Sequence, residues 1–122
     1  MPRRESSLVR ETRHLIEVTD QLRTVLLAYR KACEGMVRSG APGQPAADTI
    51  QSMERLKVRE HREALNEVMA EFEAARHRVR VELVVAAQDE GRNLSDVAKA
   101  MGVSRQLTSK LGMEAKDRKL ER

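Results

Sequence analysis

Arg105, Gln106, Ser109 and Lys110 share one face if the segment that carries them is helical, because residues three and four apart stack on the same side. Together they suit hydrogen-bond recognition of a base-pair edge. The planar fork of an arginine matches two acceptors of guanine, the carboxamide of a glutamine matches adenine, and serine and lysine reach phosphates or base edges. Ser104 and Thr108 lie in the same run, and Arg92, Asn93 and Lys99 lie just upstream. These nine residues form the candidate contact set for double-stranded DNA.

Holding such a set in place requires a short helix, a tight turn and a second helix, which Leu94 to Leu111 (LSDVAKAMGVSRQLTSKL) can supply. Val97, Ala98 and Met101 recur at helical spacing, and Ala98 is small where two helices would approach most closely. Gly102 suits a left-handed turn residue. Asn93, with Asp96 three residues on, predicts an N-cap for the first helix, and Ser104 predicts one for the second. Val103 with Leu107 or Leu111 then faces a small core, leaving the recognition set outside.

At these residues the chain resembles the tri-helical helix-turn-helix domains of bacterial and phage regulators, and also the DNA-binding ends of resolvases and of sigma-factor region 4. The resemblance covers about residues 78–113. It implies that Ala98 is the small packing residue, Gly102 the turn glycine and Ser104 the first residue of a recognition helix. It implies too that Arg105, Gln106, Ser109 and Lys110 face the major groove. Thr108 departs from the pattern, standing six residues after the turn glycine where Val or Ile is usual, which predicts a slightly rotated recognition helix.

Charge points to the same end of the chain. Residues 1–91 hold 15 basic and 15 acidic side chains, whereas residues 92–122 hold 8 and 4, so the whole net charge of +4 lies in the last third. A polyanion would be drawn there and not to the remainder. A solvated tail such as KDRKLER would produce part of that excess by itself.

No catalytic constellation is visible, so the expectation is a protein that is not an enzyme and needs no cofactor. His14, His61 and His77 have no second ligand at metal-binding spacing, and Glu73 with His77 reads as an ordinary i, i+4 surface pair. SGAPGQP lacks the lysine of a phosphate-binding loop. Cys33 is the single cysteine and suits core packing in a reducing compartment. No run approaches the roughly 18–20 apolar residues of a membrane span, and MPRRESS has no apolar stretch behind its basic residues, so a cytoplasmic, nucleoid-associated location is expected.

The rest of the chain reads as all-α. A charged fraction of 34% beside 40% hydrophobic residues, with Tyr29 and Phe72 the only aromatics, belongs to long amphipathic helices. VRVELVV at 79–85 looks strand-like but lies in a run of helical period. Leu8, Leu15, Leu22, Tyr29 and Met36 repeat every seven residues, predicting a helix from about Glu5 to Val37. SGAPGQPAA at 39–47 ends it. Asp48, with Gln51, opens a second helix from about Thr49 towards Glu90, in which Val58, Leu65, Phe72, Val79 and Ala86 recur at seven, and Arg76–Arg80 is the candidate place for a break. Gly91 ends it, and its last part would double as the first helix of the tri-helical unit, with Leu83, Val84 and Ala87 against Val97, Met101 and Leu111.

The expected architecture is therefore a long antiparallel helical hairpin, residues 1–77, followed by a helix-turn-helix unit, residues 78–122. A lone hairpin leaves much of each wide stripe in water. Self-association into a four-helix homodimer is the economical remedy, with Leu8, Leu15, Leu22, Tyr29, Met36, Val58, Leu65 and Phe72 as its seam. This outline suits a sequence-specific transcriptional regulator, most simply a repressor, whose arms also have room to dock another protein. The alternative is a helical assembly, nucleoid-organising or phage packaging-type protein with non-specific DNA binding. A third reading is a region-4-like module that binds RNA polymerase.

Overall fold

The computed structural model describes residues 5–43 and 48–120, and every regular element among them is an α-helix. Helix α1, Ser7–Ser39, runs 33 residues, or about 50 Å, within two residues of the extent expected at each end. Ser6 opens it, its hydroxyl accepting from the Val9 amide at 3.1 Å. The turn at Gly40–Gly43 follows, and the rest of the expected loop, residues 44–47, lies outside the described residues.

The run expected as one long second helix is two. Helix α2, Thr49–Arg55, starts at the predicted cap, where Asp48 Oδ1 accepts from the Gln51 amide at 2.8 Å. It stops at Leu56, and Lys57 takes a left-handed backbone with φ 54° before α3, Val58–Asp89, begins. Arg76–Arg80, where a break was expected, is continuous helix. RLKVRE contains no glycine, proline or asparagine, so nothing local announces the interruption. A contact between distant residues accompanies it: a Cβ on Gly35 of α1 would lie 2.7 Å from Leu56 Cδ2, so the leucine packs directly on the glycine and would have to shift for any larger residue. Arg55 Nη2 also donates to Ser39 Oγ at 3.0 Å.

A lysine in the left-handed region costs about 1–2 kcal/mol in steric strain that glycine avoids, while glycine loses about 0.5–1 kcal/mol more backbone entropy on folding. Lys57→Gly is therefore expected to stabilise the chain by about 0.5 kcal/mol. A urea midpoint that falls instead would show that the lysine side chain contributes more than the strain it carries.

The chain divides into two units. One comprises the start of the chain through Leu15 together with everything from Ala74 onward, and the other is Ile16–Glu73. In the second unit Val18 and Ala32 are buried, and Leu22, Tyr29, Met36, Val58, Leu65 and Phe72 are half-buried. In the first unit Leu8 and Leu15 are half-buried and Ala75 is fully buried. Cys33, read as a core residue, is exposed.

The first unit also holds α4, Leu94–Met101, and α5, Arg105–Leu120. Its core consists of Val81, Val84 and Val85 from α3, Val97 from α4, and Leu111 and Ala115 from α5, with Ala87, Leu94, Met101 and Leu107 packed on its margin. Val84, Ala87, Val97, Met101 and Leu111 are placed as expected. Leu83 is not: it remains 38% exposed, and Val81 and Val85 fill the core in its stead. The physical reason is the i, i+3, i+4 geometry of a helix, which puts Val81, Val84 and Val85 on one face and turns Leu83 away from it.

Candidate nucleic-acid interface

The turn between α4 and α5 is built by the chain's local chemistry. Asn93 Oδ1 accepts from the Asp96 amide at 2.9 Å and so caps α4. At its other end Gly102 is left-handed, with φ 69°. Its amide donates to Lys99 O at 3.3 Å and the Val103 amide to Ala98 O at 3.1 Å. That paired closure satisfies the last carbonyls of the helix. Gly91 ends α3 in the same manner, with φ 81°, its own amide on Gln88 O at 3.0 Å and the Arg92 amide on Ala87 O at 2.9 Å. Two left-handed glycines thus bracket α4.

Ser104 opens α5, its Oγ accepting from the Leu107 amide at 3.1 Å. Arg105, Gln106, Ser109 and Lys110 are then all exposed, whereas Thr108, Leu111 and Ala115 form the buried side and Gly112, one turn past Ser109, is also buried. Gly112 lies close against the Leu94 side chain of α4, since a Cβ there would stand 3.2 Å from Leu94 Cδ1. Ala98, expected where the two helices approach most closely, is 5% exposed.

Thr108 belongs to the inner face and not to the contact set. It is fully buried, and its hydroxyl donates to Ser104 O at 2.9 Å, so the hydroxyl is satisfied inside the helix. Helical geometry requires this, because Thr108 precedes Leu111 by three residues and shares its side. Arg92, Asn93, Ser104 and Lys99 are exposed, although Asn93 and Ser104 each commit a side-chain oxygen to a cap.

Two polar contacts hold α5 against α3. Arg118 Nε bonds Glu82 Oε1, with the Glu82 side chain only 5% exposed and that of Arg118 32%. His77 Nε2 meets Glu114 Oε2 at 2.7 Å, both partners about half exposed, so the histidine expected beside Glu73 has a partner on α5. Nearby, Arg78 Nε donates to Glu11 Oε2 of α1 at 3.2 Å. Glu82 and Arg118 were not singled out in the sequence. The one hint is a lone acid among the valines of VRVELVV.

Beside α4 an open groove is floored by Leu8, Leu83, Ala86, Val97 and Met101 and rimmed by Glu90, Arg92, Asp96 and Lys99. Among the described residues no three His, Cys, Asp or Glu side chains gather as metal ligands, and no helix is long and apolar enough to cross a membrane.

Comparison with known proteins adds no relative. No family model, curated protein or solved structure matches the chain.

Proposed function

We propose that the chain is a sequence-specific DNA-binding protein, a homodimeric transcriptional regulator of the repressor kind, acting in the cytoplasm at the nucleoid. In this reading the end of α3, α4 and α5 form a tri-helical helix-turn-helix, and the hairpin of α1 with α2 and α3 is the dimerising arm. The observation that carries it is the division of α5 into buried and exposed positions. Arg105, Gln106, Ser109 and Lys110 point to solvent from a helix whose inner face is locked by Thr108, Leu111 and Ala115. A recognition helix needs that combination of a rigid seat and unengaged donors. The charge excess of residues 92–122, 8 basic to 4 acidic, supports the same surface.

Roles divide by chemistry. Arg105 and Gln106, at the start of α5, read base edges, because the N-terminal residues of a recognition helix enter the major groove first. Ser109 stands beside them one turn on. Lys110, Arg92 and Lys99 contact phosphates and set register and orientation without carrying sequence information. A twofold dimer presents two such helices, so the site is a palindrome or repeat with half-site centres about 34–36 Å apart or a multiple of it. No catalytic residue or cofactor is assigned.

Equilibrium titration of a duplex target over a range of salt tests the assignment. Arg105→Ala and Gln106→Ala are each expected to cost about 1–3 kcal/mol and to relax preference at one base position. Lys110→Ala is expected to weaken binding evenly across sequences and to reduce the salt slope by about one. Equal losses on specific and random duplex for all three variants would remove the base-reading roles.

A further inference from the structure

The helix that repeats at seven has a second stripe that the chain leaves uncovered. Leu22, Tyr29 and Met36, the sequence's candidates for a dimer seam, are half-buried within the single chain. Ile16 and Leu27 are more open, at 58% and 55% exposure, and Asp20 and Arg23 between them are exposed as well. Ile16, Asp20, Arg23 and Leu27 are spaced four, three and four apart, the spacing of a coiled-coil seam on one face of α1.

The spacing is a palindrome, and so is the chemistry. An interface between identical chains related by a twofold axis must pair residue i with j and j with i. Setting a second α1 antiparallel across an axis between Gln21 and Leu22 places Ile16 opposite Leu27 of the other copy and Asp20 opposite its Arg23. The two remaining pairs follow by symmetry. A parallel alignment would instead oppose Arg23 to Arg23 and Asp20 to Asp20, like charges at the centre of the seam. Arg30, one heptad beyond Arg23, already has its own carboxylate, with Nε 3.0 Å from Glu34 Oε1.

We infer that the face Ile16–Asp20–Arg23–Leu27 is where a second copy of this chain docks, antiparallel, joined by two apolar pairs around two Asp20–Arg23 ion pairs. The inference rests on the homodimer of the proposed function and names its surface, one step around α1 from the repeat that the sequence makes most visible. Opposite charges at the centre select the partner and the register, since the wrong alignment brings like charges together.

Charge exchange tests it on the full-length chain, with solution mass from sedimentation equilibrium and helicity from circular dichroism. The unaltered protein is expected at twice the chain mass. Asp20→Arg alone and Arg23→Asp alone are each expected to shift it to the mass of one chain with helicity unchanged, because both sites are exposed. The double variant D20R/R23D restores the pairs in reverse and is expected to recover the dimer. Cys33 supplies a second readout. The antiparallel register separates the two Cys33 residues by about 35 Å along the helices, so mild oxidation leaves the chains unlinked. A monomeric wild type, a dimer indifferent to both single exchanges, failure of the double exchange to recover the dimer, or efficient linkage through Cys33 would each overturn the inference. Loss of DNA binding is a separate result: a dimer that responds to the exchanges and ignores DNA leaves this surface standing and removes the regulator reading.

Discussion

Leu111→Ala is expected to cost about 2–5 kcal/mol of folding stability, the usual range for emptying a fully buried leucine site. Leu111 has no exposed surface and sits in one cluster with Val81, Val84 and Val85 of α3, Val97 of α4 and Ala115 of α5. The neighbours are mainly valines, β-branched and held in few rotamers, so they collapse poorly into a vacated volume. That places the cost in the upper part of the range. A chemical denaturation midpoint measures it, and a loss under about 1 kcal/mol would contradict the packing described. Arg105→Ala is the natural companion, since its site is exposed and folding stability should stay within about 0.5 kcal/mol of the parent. The pair separates the seating of α5 from the contacts proposed for its exposed side.

Arg118→Ala is the second change with a large expected effect, about 2–3 kcal/mol. The Glu82 side chain is 5% exposed, in a recess also lined by Arg10, Arg78 and Val81, and Arg118 brings it a cation from the second half of α5. Removing the arginine withdraws one cation from a buried carboxylate that keeps a further partner, so the expected loss sits below that of an orphaned buried charge. The partial exposure of Arg118, at 32%, holds the effect below that of a fully buried pair. Replacing both partners by apolar residues, as in E82L/R118M, is expected to recover most of the loss, because desolvating an ion pair costs nearly what the pair returns. A cycle over the two singles and the double would report the coupling directly. Additive losses would show that the contact does not link α3 to α5.

How much of this was legible from residue types follows from the range over which each feature is determined. The caps at Asp48, Asn93 and Ser104, the left-handed turn at Gly102 and the helix end at Gly91 depend on atoms within five residues, and all are found where the sequence places them. So are the extent of α1 and the exposure of Arg105, Gln106, Ser109 and Lys110. What escaped depends on distant partners. Lys57 becomes left-handed where Leu56 fills the space beside Gly35, twenty-one residues earlier in the chain. Glu82 is buried near Arg118, whose position in space only the folded α5 defines.

Thr108 is an instructive intermediate case. Its polar side chain suggests the contact set, whereas its register, three residues before Leu111, puts it inside. A threonine hydroxyl that bonds the carbonyl four residues back behaves much like a methyl group, so the residue can stand in the core where valine would. Position on the helix outweighed side-chain polarity. The same reasoning separates Leu83 from Val84, adjacent in sequence and on different faces of α3.

Selection from a randomised duplex pool tests the central claim most directly, with the purified protein at two salt concentrations and the Arg105→Ala variant in parallel. The account predicts an enriched symmetric motif for the parent chain and a motif altered at one base position in each half-site for the variant. Retained, salt-sensitive binding with no enriched motif would contradict it and leave a non-specific organiser or assembly protein as the function to test.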